Sequence, residues 1–270
     1  EELQYRRALI KKVRDLGRKH DWKGVVEATV PECSSPDGCS PLVRSAYMEA
    51  SIHLGTPGMT ERFVAPLRAD ATPVGEAEAL AFLNKRAEYV RHVEGILASV
   101  DPQKAEANEA NNAAWAAVLM PGMPPQPEKV LALARRGVDK AASPERATFM
   151  NTLGIALYRL KRDADAISTL TATQKLHSEP LNWPCLAMAY KRQGKTAEAE
   201  KWASRYRTFT DDTFGLPERN RIESLIFLRE LNEALPPKKQ PASARVKAES
   251  DNPICPALHV PDGSLRLRAE

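Results

Sequence analysis

The chain has 270 residues, of which 43% are hydrophobic and 27% charged, with a net charge of +4. This is the profile of an ordinary globular chain; it excludes a collagen-like or low-complexity protein. Spread over a chain of this size, +4 does not point to nucleic acid, which calls for a concentrated basic face. Aromatic residues are only 6% while alanine is abundant, which favours closely packed helices over a sheet-based core.

Apolar residues recur at three- and four-residue spacing almost throughout, and the breaks fall at Pro, Gly and Asp. The pattern predicts helices near 3–18, 22–30, 41–54, 59–69 and 75–99, then near 103–120, 127–141, 146–160, 163–176, 182–193, 196–209 and 217–233. No alternating strand pattern occurs, so the expectation is an all-α chain of antiparallel helix hairpins. The 75–99 segment reads as one long helix, with a stripe of Leu80, Leu83, Val90, Ile96 and Leu97 and a solvated face carrying Lys85, Arg86 and Arg91.

The longest apolar run, AAWAAVLM from Ala113 to Met120, stops at Pro121-Gly122 and is too short to cross a bilayer. After Leu235 the chain turns rich in Pro, Ser, Ala and charge, so 236–270 is expected to be mostly disordered. The first residue is Glu1, so the expectation is a processed product or a piece of a longer protein.

Cys33 and Cys39 bracket the loop CSSPDGC at a spacing that fits neither a zinc ribbon nor a CxxC pair. They would close a disulfide loop in an oxidising compartment and be bystanders in a reducing one. The bystander reading is preferred, in keeping with a cytoplasmic setting, although the sequence does not give the compartment. Cys185, in a helical pattern, reads as a core residue.

The five histidines, His20, His53, His92, His177 and His259, fall in no metal-ligand spacing. GxSxG, Walker and GxGxxG motifs do not occur, so neither an enzymatic role nor a cofactor is expected.

A repeat is present. Met150, Leu153, Gly154 and Leu157 align with Trp183, Leu186, Ala187 and Tyr190, 33 residues on, and Ala166 and Leu170 align with Ala199 and Ala203. Over 147–209 this resembles the tetratricopeptide pattern W-x2-L-G-x2-Y…A-x3-F. An earlier unit, NNAAWAAVL followed by EKVLALARRGV, fits more loosely, with Ala114 in the place of Gly154. Residues 1–70 show hairpins such as RDLGRKHDWKGVVEA, but the signature residues do not fall in register. The wording of 105–209 is similar to the carboxy-terminal repeats of large planctomycete proteins, several of which carry a serine/threonine kinase domain; HRD and DFG are absent here.

The resemblance implies a right-handed superhelix of helix hairpins, a solenoid, over 101–235, with 1–100 holding degenerate repeats or a separate helical module. It implies that Gly154 lies where the two helices of a hairpin meet. It also implies a concave groove lined by Asn108, Asn111, Asn151, Ile155, Tyr158, Arg159, Met188, Lys191 and Arg192.

Asparagine amides hold peptide backbone and guanidinium groups hold carboxylates, so the expected ligand is an acidic protein or peptide segment. Trp115 and Trp183 read as core, although a groove-facing Trp115 would be an anchor. The expected function is a protein–protein interaction scaffold. The alternative is a regulatory or substrate-docking region of a larger kinase.

Overall fold

In the computed structural model, residues 2–33, 40–54, 72–212 and 218–237 are described. Among them are twelve α-helices and no strand: α1 (Glu2–Arg18), α2 (Trp22–Thr29), α3 (Pro41–His53), α4 (Pro73–Phe82), α5 (Arg86–Ser99), α6 (Ala107–Val118), α7 (Pro127–Lys140), α8 (Ser143–Arg159), α9 (Asp163–Leu176), α10 (Asn182–Arg192), α11 (Thr196–Asp212) and α12 (Glu218–Ala234). The helix expected at 59–69 and the tail beyond Pro237 lie outside the described residues.

The expectation of one long helix over 75–99 is corrected. The helix ends at Phe82 and restarts at Arg86, making a hairpin. Asn84 turns the chain at φ 57°, a left-handed conformation that asparagine tolerates. Neither Gly nor Pro marks the break in the sequence.

The same turn occurs four times. His20 (φ 55°), Asn84, Lys161 (φ 60°) and Gly194 (φ 74°) each follow a first helix. In each, the turn residue's N–H donates to the carbonyl three residues back. The next N–H donates five residues back: Asp21 to Leu16 at 3.0 Å, and Lys85 to Leu80, Arg162 to Leu157 and Lys195 to Tyr190 at 2.9 Å. These paired bonds satisfy carbonyls that a helix end would leave orphaned. The residue entering the second helix also repeats its backbone, near φ −80°, ψ 70° at Asp21 and Lys85 and φ −88°, ψ 63° at Arg162.

These turns supply the register that the sequence pattern lacks. Seven residues before the turn stand Val13, Ala77, Gly154 and Ala187; nine after it stand Thr29, Val93, Leu170 and Ala203, and all eight are buried. The first hundred residues therefore hold two hairpins of the same geometry as those at 143–176 and 182–212.

Gly154 has the close approach that the repeat reading required. A β-carbon built on it would lie 2.3 Å from Leu170 Cδ2 and 2.6 Å from its Cγ, with the Leu170 backbone nitrogen 3.5 Å away. The α8 backbone thus rests on a buried leucine of α9. The packing so gained offsets the roughly 1 kcal/mol that glycine costs inside a helix.

From α1 to α3 and again from α4 to α12, consecutive helices pack against one another, and the first helices α4, α6, α8 and α10 also touch in sequence to form a continuous layer. Abundant alanine makes this possible: Ala77, Ala81, Ala110, Ala113, Ala117, Ala156 and Ala189 are all essentially buried. The last helix departs from the stack. Besides α11, α12 packs on α10, α4 and α3, while α1 touches α11. The first and last described helices are thereby tied into the same body, and residues up to Pro236 make one compact unit.

Cys33 is disulfide-bonded and its partner lies outside the described residues, which overturns the bystander reading. Cys185 is free and fully buried, as expected of a core thiol. No described helix is long and apolar enough to cross a membrane.

Candidate functional site

The residues that the resemblance assigned to the groove lie along α6, α8 and α10, and most of them are covered. Asn111, Asn151, Ile155, Tyr158, Arg159 and Met188 are each 8% exposed or less, whereas Asn108, Lys191 and Arg192 are exposed. Of the α8 and α10 members, Tyr158, Arg159 and Lys191 are bonded to α12.

The centre of the contact is Arg159. Its Nη1 donates to Glu230 Oε1 at 2.5 Å, its Nε to the Val118 carbonyl at 2.8 Å and its Nη2 to the Leu119 carbonyl at 3.2 Å. One guanidinium thus joins the end of α6, its own helix α8 and α12. Tyr158 also donates to Glu230 Oε1, at 3.2 Å, and its hydroxyl lies 3.3 Å from Met188 Sδ. Phe227 of α12 sits 5.7 Å from the Arg159 guanidinium and 6.2 Å from the Trp115 ring. Trp115 Nε1 donates to Glu223 Oε1 at 2.9 Å, so this half-buried indole anchors α12.

The flanks are held as well. Lys191 Nζ donates to the Ala234 carbonyl at the α12 C-terminus, where a cation suits the helix dipole. Arg229 of α12 donates from both terminal nitrogens, at 2.9 Å, to the Ala81 and Phe82 carbonyls that end α4. Arg221 of α12 grips Glu49 of α3 in a buried bidentate pair, with Nε to Oε2 at 2.9 Å, and its Nη1 reaches the Thr210 carbonyl at 2.6 Å. The apolar face between these anchors, Ile222, Ile226, Phe227 and Leu231, is at most 5% exposed.

Arg192 is turned away from α12. It pairs with Asp163 of α9, reaches the Tyr158 carbonyl at 2.8 Å and lies 4.0 Å over the Tyr158 ring. Asn151 Nδ2 donates to Asn182 Oδ1 at 2.6 Å, while Asn182 Nδ2 and Asn111 Oδ1 are buried without a hydrogen-bond partner. Asn151 is thus engaged within the chain through its amide nitrogen.

Electrostatics here are those of a dry, paired interior. Burial works against charge on Arg159, yet the Glu230 carboxylate outweighs it and raises the guanidinium pKa. Burial raises Tyr158, reinforced by Glu230, and both phenol and guanidinium therefore act as donors. The Cys185 thiol is pushed up to about 12 by burial, although Arg159 opposes this, so it stays protonated and inert near neutrality. Burial likewise raises Glu49 against the pull of Arg221. The arrangement holds a carboxylate-bearing helix; it presents no activated nucleophile. Among the described residues no group of three His, Cys, Asp or Glu side chains is placed to hold a metal ion.

Sequence reasoning missed Glu230, Glu223, Phe227 and Arg221. One signal was available: Leu225, Ile226, Phe227 and Leu228 are consecutive and apolar, which wraps α12 in hydrophobic surface on all sides. A helix of that kind is embedded, not a one-sided member of a stack.

Comparison with protein-family models, with curated proteins and with solved structures finds no match to this chain.

Proposed function

We propose that the chain is a protein–protein interaction scaffold of tetratricopeptide type, a right-handed solenoid of hairpins whose concave groove receives a helix carrying carboxylates. The supporting observation is the seating of α12 on Tyr158, Arg159, Met188 and Lys191, with Glu230 as the recognised carboxylate. In the resting chain the groove holds its own helix, and a partner helix of matching pattern competes for it. The pattern is an aromatic residue followed three residues later by Glu, with a second Glu four residues before the aromatic, as in Glu223, Phe227 and Glu230. The kinase-docking alternative draws on the same resemblance and would use the same groove.

Complementation in trans tests this. Phe227→Ala in the full chain weakens the resident helix, at about 3–5 kcal/mol for removing a buried phenylalanine. A synthetic peptide of residues 218–236 should then raise the melting temperature of that variant in a concentration-dependent way. The same peptide with Glu230→Lys should not. Failure of the unaltered peptide to stabilise the variant at any concentration would refute a helix-binding groove.

A further inference from the structure

The net charge of the chain is not spread along it. Residues 1–23 hold eight Lys and Arg against four Asp and Glu, a net of +4, while the whole chain has 39 against 35; residues 24–270 are neutral, 31 against 31. The excess lies on α1 and the turn after it. Arg7, Lys11, Arg14 and Arg18 follow one another at intervals of four, three and four residues, which sets them on one face within a 40–60° arc over about 16 Å of helix. All four are exposed, and none makes an ion pair with a described residue. Beside this stripe a cleft of about 340 Å³ opens between Lys11, Lys12 and Lys19, floored by Ala8 and Leu16, with Asp15 its one carboxylate.

The opposite face of α1 is committed to the fold. Leu9 and Val13 are buried in the core, and α1 packs on α2, α3 and α11. The stripe is therefore presented rigidly, on a helix that cannot roll. Unsatisfied like charges at i, i+3 and i+4 destabilise a helix, so this face carries a standing cost that a complementary partner relieves.

We infer that the exposed face of α1 is a docking surface for an acidic helical segment of a partner protein, with its carboxylates at the same four-three-four spacing. A second helix lying along α1 shares its period and brings one carboxylate opposite each cation, three of them arginines suited to bidentate pairing. Ile10, which borders the stripe, is packed against the core and is not free to enter a bilayer. This surface is separate from the α12 groove and does not rest on the groove's proposed role.

The test uses the full chain and a fluorescent alanine-rich peptide with Glu at positions 3, 7, 10 and 14, read by anisotropy in 50 mM salt. The control peptide has the same composition with the glutamates distributed round the helix. The expected result is binding of the striped peptide, with the control several-fold weaker. An Arg7→Gln/Arg14→Gln/Arg18→Gln variant, its fold checked by circular dichroism, should bind at least about tenfold more weakly. Removing two exposed cations elsewhere, Lys175→Gln/Lys201→Gln, should change nothing. Absence of binding, equal binding by the triple variant, or equal binding of both peptides would overturn the inference. So would displacement of the peptide by duplex DNA or phosphatidylserine vesicles at lower charge concentration, which would assign the face to another polyanion.

Discussion

Alanine at position 154 should damage the protein although alanine is the better helix former. The new methyl would sit 2.3 and 2.6 Å from Leu170 Cδ2 and Cγ, against an ordinary contact of 3.4 Å or more. Leu170 is completely buried, so it has no free space to turn into, and α8 and α9 must part by about an ångström. Overpacking of this kind costs about 1–3 kcal/mol, and the helix-propensity gain returns about 1. The expected net loss is about 0–2 kcal/mol, a fall of at most roughly 4–8 °C in melting temperature for a unit of this size.

Gly95, mid-helix in α5, provides the internal control. It is exposed and a β-carbon there meets nothing within 4 Å, so Gly95→Ala should gain about 0.5–1 kcal/mol. Adding Leu170→Ala to Gly154→Ala should lose less than the sum of the two single changes, because truncation at Cβ removes both clashing atoms, Cγ and Cδ2. Chemical denaturation of the four variants measures this. Gly154→Ala matching Gly95→Ala in sign would refute the packing argument.

Three further outcomes follow from the geometry. Lys161→Gly should stabilise by about 0.5–1 kcal/mol in thermal melts, since Lys161 occupies φ 60° at a position that Gly194 fills in the next hairpin. Glu230→Ala strands the buried Arg159 guanidinium and should cost about 3–5 kcal/mol; Arg159→Met/Glu230→Leu should cost less than either single truncation in urea titrations. His53, stacked on Trp22 at 4.1 Å, has its pKa lowered to about 4 by burial, then by the charges of His20 and Arg221. The unfolded chain takes up its proton near 6.5 and the folded chain does not, so stability declines as pH falls from about 6.5 to 4, by less than about 1 kcal/mol because the residue is partly exposed. A ring-proton titration by NMR should place the His53 midpoint well below the ordinary histidine value.

Most helices were legible because apolar periodicity reports burial directly, and the 33-residue offset gave two hairpins in register. The turn at Asn84 was not, because a left-handed asparagine breaks a helix without the Gly or Pro that marks such breaks elsewhere. The hairpin at Leu9–Thr29 was legible as a hairpin but its register was not, because that register is carried by backbone hydrogen bonds around His20, which side-chain identity does not encode. Placement of α12 was beyond periodicity altogether. The run Leu225–Leu228 states that the helix is enclosed, but its enclosing partners come from α3, α4, α6, α8 and α10, up to 172 residues away at Glu49. Tyr158, Arg159 and Met188 were expected to line a groove; in the fold all three are buried, with Tyr158 and Arg159 hydrogen-bonded to Glu230 of α12.

Hydrogen exchange of α12, read by mass spectrometry on the full chain, addresses the central claim most directly. If the groove holds this helix as described, amides of 222–231 should be protected to the same order as those of α8 and α10, by factors of 10³ or more. They should lose that protection selectively in Phe227→Ala, while α8 and α10 keep theirs. Exchange of 222–231 within seconds in the unaltered chain, beside protected α8 and α10, would contradict the account.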